Sequence, residues 1–320
     1  MIKAVLLFIL GLILLIKGGD WFVDSSVNIA HKFKLPEILI GATVVSIGTT
    51  LPEVMVSGTS AVKGISSIAY GNAIGSIICN TALISALTIA IRPAKIEKDK
   101  LIIPVVFFFI SAVFYSLVAY FSGEFSRVAG IILLATFVVY MVLTTRSSIK
   151  ASKQTADEET KEEINVVKSI VFLIIGAALI AYGANLLTDN GTIIAEGLGV
   201  PSSVIALTFV ALGTSLPELV TAITSLVKGH GALSVGNIIG ANLFNLILVS
   251  GVAVTLKPFA IPSEKLIGGI NASLVVDIPV MFAVMLILTL PAVIWGKLSR
   301  VQGISLLAIY TAFCVFQFAF

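Results

Sequence analysis

Long apolar runs separated by short polar segments make up most of the sequence. Ten of these runs approach or exceed the roughly 20 residues that an α-helix needs to cross a bilayer. They predict transmembrane helices near 4–23, 38–62, 68–90, 101–120, 126–145, 166–186, 203–227, 233–256, 274–294 and 300–319. The first run has no small-residue cleavage site after it, so we interpret it as a helix and not as a signal peptide. The pattern predicts an all-α integral membrane protein.

Composition agrees with this class. Of 320 residues, 58% are hydrophobic and only 12% are charged, whereas soluble domains carry about 25% charged residues. The net charge of +3 comes without a basic stripe interleaved with aromatic residues, so we expect no nucleic-acid partner. Cys79 and Cys314 lie in apolar runs and are typical of small core residues.

One solvated segment, 146–165, separates the fifth and sixth spans and carries charges of both signs. We interpret it as a charged helical linker, too short for a folded regulatory domain. If the N-terminus lies outside, fifteen of the twenty Lys and Arg residues fall on the inner side. The positive-inside rule therefore predicts outer termini and a cytoplasmic linker, in a multi-pass protein of the plasma membrane.

The two halves of the chain are related by a shift of 165 residues without gaps over a long stretch. Between 41–80 and 206–245, 17 of 40 positions are identical, far above chance. Each copy contains five spans, so the second copy must enter the membrane from the opposite side. The sequence thus predicts a first five-helix repeat at 1–145, the linker at 146–165 and a second, inverted repeat at 166–320. Inverted repeats of this kind are typical of secondary transporters with a site at the midplane.

One hexapeptide occurs in both copies, as Gly48-Thr49-Thr50-Leu51-Pro52-Glu53 and Gly213-Thr214-Ser215-Leu216-Pro217-Glu218. Each proline has no N–H, so the carbonyl four residues earlier loses its helical partner, and we expect that turn to open. Irregular backbone at membrane depth is tolerated only where it lines a cavity or is buried in protein. Carbonyls, hydroxyls and carboxylates would then form an oxygen-rich site for hard cations such as calcium or sodium.

A second motif, Gly-Asn-x-Ile-Gly, follows in the third and eighth spans and ends at Asn80 and Asn245. Its glycines, four residues apart, predict close helix contacts. Asn80 and Asn245 then offer amide oxygens to the same cavity. An alternative is that these asparagines only form hydrogen bonds between helices.

The two glutamates carry a high cost in hydrocarbon, about 2.5–3.5 kcal/mol each at the bilayer centre. No Lys or Arg lies at comparable depth, which argues against a structural ion pair. Two ionised carboxylates about 5 Å apart repel by roughly 3 kcal/mol at an effective dielectric of 20. An empty site is therefore unfavourable, and this favours antiport over uniport.

An intramembrane enzyme is the alternative from another class. Both histidines, His31 and His230, are predicted in loops, and no Cys–His or Ser–Lys pair is evident within the spans. HExxH and phosphate-loop motifs are absent as well. We expect a transporter and not an enzyme.

With both motif pairs at matched spacing, the chain resembles the cation/calcium exchanger superfamily, and most closely its prokaryotic sodium/calcium exchangers. The resemblance covers nearly the whole chain. It implies exchange of sodium for calcium by alternating access, with helices 1 and 6 sliding across the rest of the protein. A proton-coupled calcium antiporter of the same superfamily is the alternative; its repeats carry a different glutamate motif, without Leu-Pro-Glu.

The resemblance also implies a role for each matching position. Glu53 and Glu218 would bridge calcium, helped by the carbonyls of Thr49 and Thr214. An outer sodium site would use Glu53, Ser76, Thr214, Ser215 and the Ala211 carbonyl. An inner one would use Glu218, Thr49, Thr50 and the Ser46 carbonyl, with Asn80 and Asn245 lining the middle.

One departure from the family pattern concerns the inner sodium site. The position that mirrors Ser76 is Ala241, so this site lacks a hydroxyl. The resemblance implies no resident cofactor and no protein partner. The only implied ligands are the transported calcium and sodium ions, and the surroundings are lipid.

Overall fold

The computed structural model describes residues 2–154, 165–198, 213–263 and 265–319 and is almost entirely helical there. The helices are α1 Ile2–Lys32, α2 Glu37–Lys63, α3 Ser66–Ile91, α4 Lys98–Ser122, α5 Arg127–Gln154, α6 Val166–Gly197, α7 Leu216–Val227, α8 Gly231–Leu256, α9 Ser273–Trp295 and α10 Arg300–Ala319. In these described residues, all but α7 are long and apolar enough to cross a membrane. Of the predicted span 203–227, only the α7 portion is described as a helix, and 203–212 lies outside the described residues.

Two helices continue well past their predicted ends. The prediction ended the first span at 23 and the sixth at 186, whereas α1 ends at Lys32 and α6 at Gly197. The polar residues beyond the apolar run of α1 are accommodated within the helix: Ser26 is buried and its hydroxyl donates to the Phe22 carbonyl at 2.7 Å. A polar side chain satisfied by its own helix does not end that helix.

Helices α2, α3 and α8 form the buried centre of the molecule, whereas α1, α6 and α10 present much of their surface outward. Large apolar side chains such as Leu6, Ile13 and Ile174 are exposed on the outer helices. This distribution is the one expected of a protein surrounded by lipid, where outward-facing apolar residues have no cost.

Glycines bring α1 and α6 into backbone contact. A Cβ atom on Gly11 would lie 2.9 Å from the Gly183 carbonyl oxygen, and one on Gly18 would lie 2.9 Å from the Gly176 oxygen. The sequence repeat matches Gly11 with Gly176 and Gly18 with Gly183, so the matched glycines meet crosswise. We call these four residues the glycine seam. Contacts of this kind let two membrane helices pack closely.

In the described residues, short strands in the loops form three pairs, and two of them join loops from different halves of the chain. They are β1 Ala94–Lys95, β2 Glu124–Phe125, β3 Phe259–Ala260, β4 Leu266–Ile267, β5 Ile270–Asn271 and β6 Lys297–Leu298. All pairs are antiparallel: β1 with β6, β2 with β3, and β4 with β5. The loop after α3 therefore meets the loop after α9, and the loop after α4 meets the loop after α8.

In the part of the chain that the structure describes, four π-helical turns interrupt the α-helical geometry, at Gly41–Val45 in α2, Asn80–Ser85 in α3, Asn245–Val249 in α8 and Ser273–Asp277 in α9. The turns in α3 and α8 begin at positions that the repeat matches. Single π-turns are frequent at functional sites because they redirect the side chains around them. Outside the bundle, α5 extends to Gln154, and the remainder of the predicted linker up to 164 lies outside the described residues.

Candidate ion-binding site

The first hexapeptide lies within α2, and its proline does not break the helix. Pro52 is inside the continuous α-helical part, Ser46–Lys63. The expected opening at Gly48 is therefore wrong for this copy, and the departure from α geometry lies upstream, at Gly41–Val45. A membrane helix tolerates an internal proline where neighbouring helices support it, and α2 packs against both α3 and α8.

The second hexapeptide has the expected irregular backbone. Thr214 and Ser215 form a turn, α7 begins at Leu216, and Pro217 occupies its first turn. A proline in the first turn costs little because the N–H groups there have no helical acceptor. The two copies of one motif thus have different backbone settings.

Both motif carboxylates are completely buried, with Glu53 and Glu218 each 0% exposed. Among the described residues, none of their four carboxylate oxygens has a hydrogen-bond partner. The two side chains are close enough to interact electrostatically, and none of the ion pairs in the described part of the chain includes them. Two buried, interacting acidic side chains whose oxygens have no hydrogen-bond partner among the described residues form an acceptor-rich centre.

Further polar atoms of the predicted site share this property. Within the described ranges, the Thr50 and Ser215 hydroxyls have no hydrogen-bond partner. The side-chain oxygen and nitrogen atoms of Asn80 and Asn245 also have none, although both residues are 0% exposed. Within the described residues, these asparagines therefore form no side-chain hydrogen bonds between helices. Each is the first residue of a π-turn.

The remaining predicted site residues lie in different settings. Ser46 and Thr49 are buried and hydrogen-bonded, with the Thr49 hydroxyl 3.3 Å from the Asn237 side-chain oxygen. Ser76 is buried and Thr214 is half-buried. Ala211 lies outside the described residues.

The asparagine at the second position of the Gly-Asn motif, for which no role was predicted, has hydrogen-bond contacts in both repeats. Asn72 donates to the Ser57 hydroxyl at 2.9 Å and to the Glu53 carbonyl at 3.3 Å. Its counterpart Asn237 instead faces Ser46 and Thr49 of the other half. The identity of this asparagine in both repeats was the available signal.

Helix α1 covers the first hexapeptide. A Cβ atom on Gly48 would lie 2.8 Å from the Phe22 ring, so the glycine makes room for this side chain. A small cleft lined by Phe22, Thr49 and Ala177 separates the motif from α1 and α6. The outer helix pair therefore forms one wall beside the candidate site.

Comparison with known proteins identifies the family. The sequence model described as "Sodium/calcium exchanger protein" matches residues 3–146 and again 168–319. The chain belongs to the sodium/calcium exchanger family. The match covers both halves of this exchanger, and such proteins are ion transporters and not enzymes.

Relatives and solved structures agree. The exchanger is 30% identical to the sodium/calcium exchanger MaX1 of Methanosarcina acetivorans, over 98% of each chain. It is 35% identical to an uncharacterized membrane protein of Methanocaldococcus jannaschii, over 95% of this chain and 94% of that one. A structure of the sodium-calcium exchanger NCX_Mj, soaked with Na⁺ and Sr²⁺, superposes with a TM-score of 0.81 at 33% identity over 97% of each chain. The resemblance inferred from the two motifs is confirmed, as is the multi-pass membrane class.

Proposed function

We propose that the protein exchanges sodium for calcium across the plasma membrane by alternating access, binding its ions between Glu53 and Glu218. The observation that supports this proposal is that the two motif carboxylates, the Thr50 and Ser215 hydroxyls and the Asn80 and Asn245 amides are buried and have no hydrogen-bond partner among the described residues. Buried polar groups almost always have hydrogen-bond partners. Carboxylate, hydroxyl and amide oxygens left unpaired at one place are the ligands that hard cations take.

The proposed ligands are the predicted ones. Calcium would lie between Glu53 and Glu218, with the main-chain carbonyls of Thr49 and Thr214. The outer sodium site would combine Glu53, Ser76, Thr214, Ser215 and the Ala211 carbonyl, and the inner one Glu218, Thr49, Thr50 and the Ser46 carbonyl. Asn80 and Asn245 would supply amide oxygens between them. The cations are cargo, and no resident cofactor takes part.

Exchange follows from the charge of this centre. Two buried carboxylates without cations would repel each other in a medium of low polarity, and this repulsion opposes a change of access state by the empty carrier. A carrier loaded with calcium or with sodium has this repulsion neutralised. Each passage of one ion species across the membrane then requires the return of the other.

The architecture of the proposal is two inverted five-helix repeats with ten spans, at 1–145 and 166–320, joined by the cytoplasmic linker 146–165. The duplicated family match, the crosswise glycine seam and the crosswise loop strands support it. Lys and Arg placement supports outer termini.

Alternating access would come from α1 and α6. These helices contact each other through glycine backbones and expose much of their outer surface. They also form the wall beside Thr49. A sliding movement of this pair would open the site to one side and then to the other, while α2, α3 and α8 stay in place.

The test is calcium-45 uptake into proteoliposomes loaded with sodium, with choline at the same pH, or with a proton gradient alone. Under this proposal, calcium uptake occurs only when an outward sodium gradient drives it. Uptake driven by the proton gradient alone would replace it with proton-coupled antiport. Equal uptake in all three sets would overturn exchange altogether.

A further inference from the structure

Side-chain oxygens of α2 and α8 converge next to the first hexapeptide. The Asn237 Oδ1 atom lies 3.3 Å from the Ser46 hydroxyl oxygen and 3.3 Å from the Thr49 hydroxyl oxygen. The Asn237 main-chain oxygen lies 3.0 Å from the same Ser46 oxygen. All three residues are buried, at 0%, 2% and 0% exposure for Ser46, Thr49 and Asn237.

Few hydrogens serve these oxygens. The Ser46 hydroxyl has one hydrogen, and its nearest acceptor is the Gly41 carbonyl at 2.7 Å. With that hydrogen on Gly41, the lone pairs of the Ser46 oxygen are free. Among the described residues, the Thr49 hydroxyl lies 3.3 Å from the Asn237 Oδ1 atom and 3.5 Å from the Ser46 carbonyl oxygen. It also interacts with the Glu218 side chain. Oxygens separated by about 3 Å with free lone pairs suit a shared cation held at roughly 2.3–2.6 Å from each.

The side-chain amide of Asn237 lies against the two hydroxyls. Its oxygen faces the two hydroxyls, and its nitrogen has no hydrogen-bond partner within the described ranges. If the amide turned over, its NH₂ group would donate to both hydroxyl oxygens. A cation among the oxygens would hold the amide with its oxygen inward.

Glycines allow this convergence because they remove the side chains between α2 and α8. A Cβ atom on Gly41 would lie 2.8 Å from the Asn237 main-chain nitrogen. A Cβ on Gly240 would lie 2.6 Å from the Ala42 Cα atom and would also collide with the Ser46 hydroxyl. The contact therefore depends on residues that come from both repeats.

The repeat shows what the Ser46 hydroxyl replaces. Ser46 corresponds to Ala211, and Ser76 corresponds to Ala241. In the proposed outer site, the hydroxyl comes from Ser76 and the backbone carbonyl from Ala211. In the inner site, the residue that corresponds to Ser76 is Ala241, which has no hydroxyl, but the residue that supplies the carbonyl is Ser46. Each site thus keeps one serine and one alanine, in exchanged places.

We propose that the Ser46 hydroxyl and the Asn237 side-chain oxygen are ligands of the inner sodium site and replace the hydroxyl that Ala241 lacks. This inference rests on the proposed function, since it concerns one of its two sodium sites. Its oxygens are neutral apart from Glu218, which suits a monovalent cation. Ser46 and Asn237 then set how strongly this site binds sodium.

The test uses calcium-45 uptake driven by internal sodium at a series of sodium concentrations. Ser46→Ala should raise the half-saturating sodium concentration about tenfold, the effect of losing one ligand worth roughly 1.4 kcal/mol. The double variant Ser46→Ala/Ala241→Ser should restore a value near the wild type, because it returns a hydroxyl to the mirrored position. Ser116→Ala is the matched control, because its buried hydroxyl also donates to a backbone carbonyl at 2.7 Å.

Sodium binding gives a second readout that does not depend on transport. The rise in melting temperature caused by sodium chloride over choline chloride reports sodium binding and should shrink in Ser46→Ala and return in the double variant. An unchanged sodium dependence in Ser46→Ala, or no recovery in the double variant, overturns the inference. If Ser46→Ala does not fold, Ala241→Ser alone should lower the half-saturating sodium concentration, and an unchanged value contradicts the proposal. Wild-type protein without sodium dependence would instead overturn the proposed function itself.

Discussion

Asn72 and Asn237 occupy the same position in the two repeats, yet they bond to different parts of the molecule. Asn72 holds Ser57 and the Glu53 carbonyl of its own half. The residue that corresponds to Ser57 in the second repeat is Ala222, so Asn237 lacks the hydroxyl acceptor that Asn72 has in its own half. Asn237 faces Ser46 and Thr49 across the repeat boundary instead.

This difference shows how a duplicated transporter becomes asymmetric without losing its motifs. The first copy has serine and the second alanine at two matched pairs, 46 with 211 and 57 with 222, and the asparagines contact the serines: Asn72 bonds to Ser57 and Asn237 faces Ser46. Five of the six hexapeptide residues remain identical, and the sixth, Thr50 or Ser215, keeps its hydroxyl. The same substitution made at matched positions of the two repeats therefore shows whether those positions have the same function or different functions.

The largest loss of transport is expected at Glu53 and Glu218, the matched glutamates of the two repeats. Glu53→Gln and Glu218→Gln should each abolish sodium-driven calcium uptake, because each removes a charged ligand from the centre. Both variants should stay folded, since removing a buried unpaired charge does not destabilise the bundle. Gel filtration and proteoliposome uptake measure this, with the exposed Glu124→Gln as control. Wild-type uptake in either variant would refute the site.

The next comparison uses Gly18 and Gly183, a matched pair of the glycine seam, at which we expect equal losses of stability and uptake. Gly18→Ala and Gly183→Ala place a Cβ atom 2.9 and 2.8 Å from a backbone oxygen of the facing helix. Backbone atoms must then separate, at about 1–3 kcal/mol, so melting temperature and uptake should both fall. Gly58→Ala, whose Cβ would have ordinary contacts at 3.5 and 3.7 Å, should change neither. A large difference between the two seam variants would argue against a symmetric contact.

The asparagines should respond unequally. Asn237→Ala should raise the half-saturating sodium concentration about tenfold. Asn72→Ala should leave two hydrogen-bonding groups unsatisfied and lower stability by about 1–2 kcal/mol, with a smaller change in sodium dependence. Sodium titrations and thermal unfolding of both variants distinguish the roles. The same sodium dependence and the same melting temperature in both variants would contradict the different roles of Asn72 and Asn237.

The smallest effect concerns Lys228 and its counterpart Lys63. Lys228 lies 2.8 Å from Asp24 and 3.2 Å from Asp20 of α1, whereas Lys63 is exposed and has no ion pair among the described residues. Burial acts to lower the pKa of Lys228, but the hydrogen bonds and charges of Asp24 and Asp20 raise it above its ordinary value of 10.5. This stabilisation is present below pH 10.5 and is lost as the pH rises through the raised pKa.

Because these groups are partly exposed, Lys228→Ala should cost at most about 1 kcal/mol at neutral pH, and Lys63→Ala less. Thermal melts at low and high salt measure the difference, which should shrink as salt screens the pair. A cost for Lys63→Ala as large as that for Lys228→Ala would contradict the assigned ion pairs.

Hydropathy and the repeat predicted most of the fold, because spans and duplicated motifs are visible in a linear pattern. The ends of α1 and α6 were missed since residues such as Ser26 are satisfied by their own helix, which hydropathy does not register. The expected break at Pro52 was wrong because neighbouring helices support that turn. The place of Asn237 could not be predicted, since it depends on how closely α2 approaches α8 at Gly41 and Gly240.

The central claim, that Glu53 and Glu218 hold cations that compete for one centre, is tested most directly by equilibrium calcium-45 binding to detergent-purified protein. The wild type should bind calcium, and added sodium, but not choline, should displace it. The double variant Glu53→Gln/Glu218→Gln should bind none above background. Calcium binding of wild-type affinity in the double variant, or calcium that sodium cannot displace from the wild type, would contradict the account.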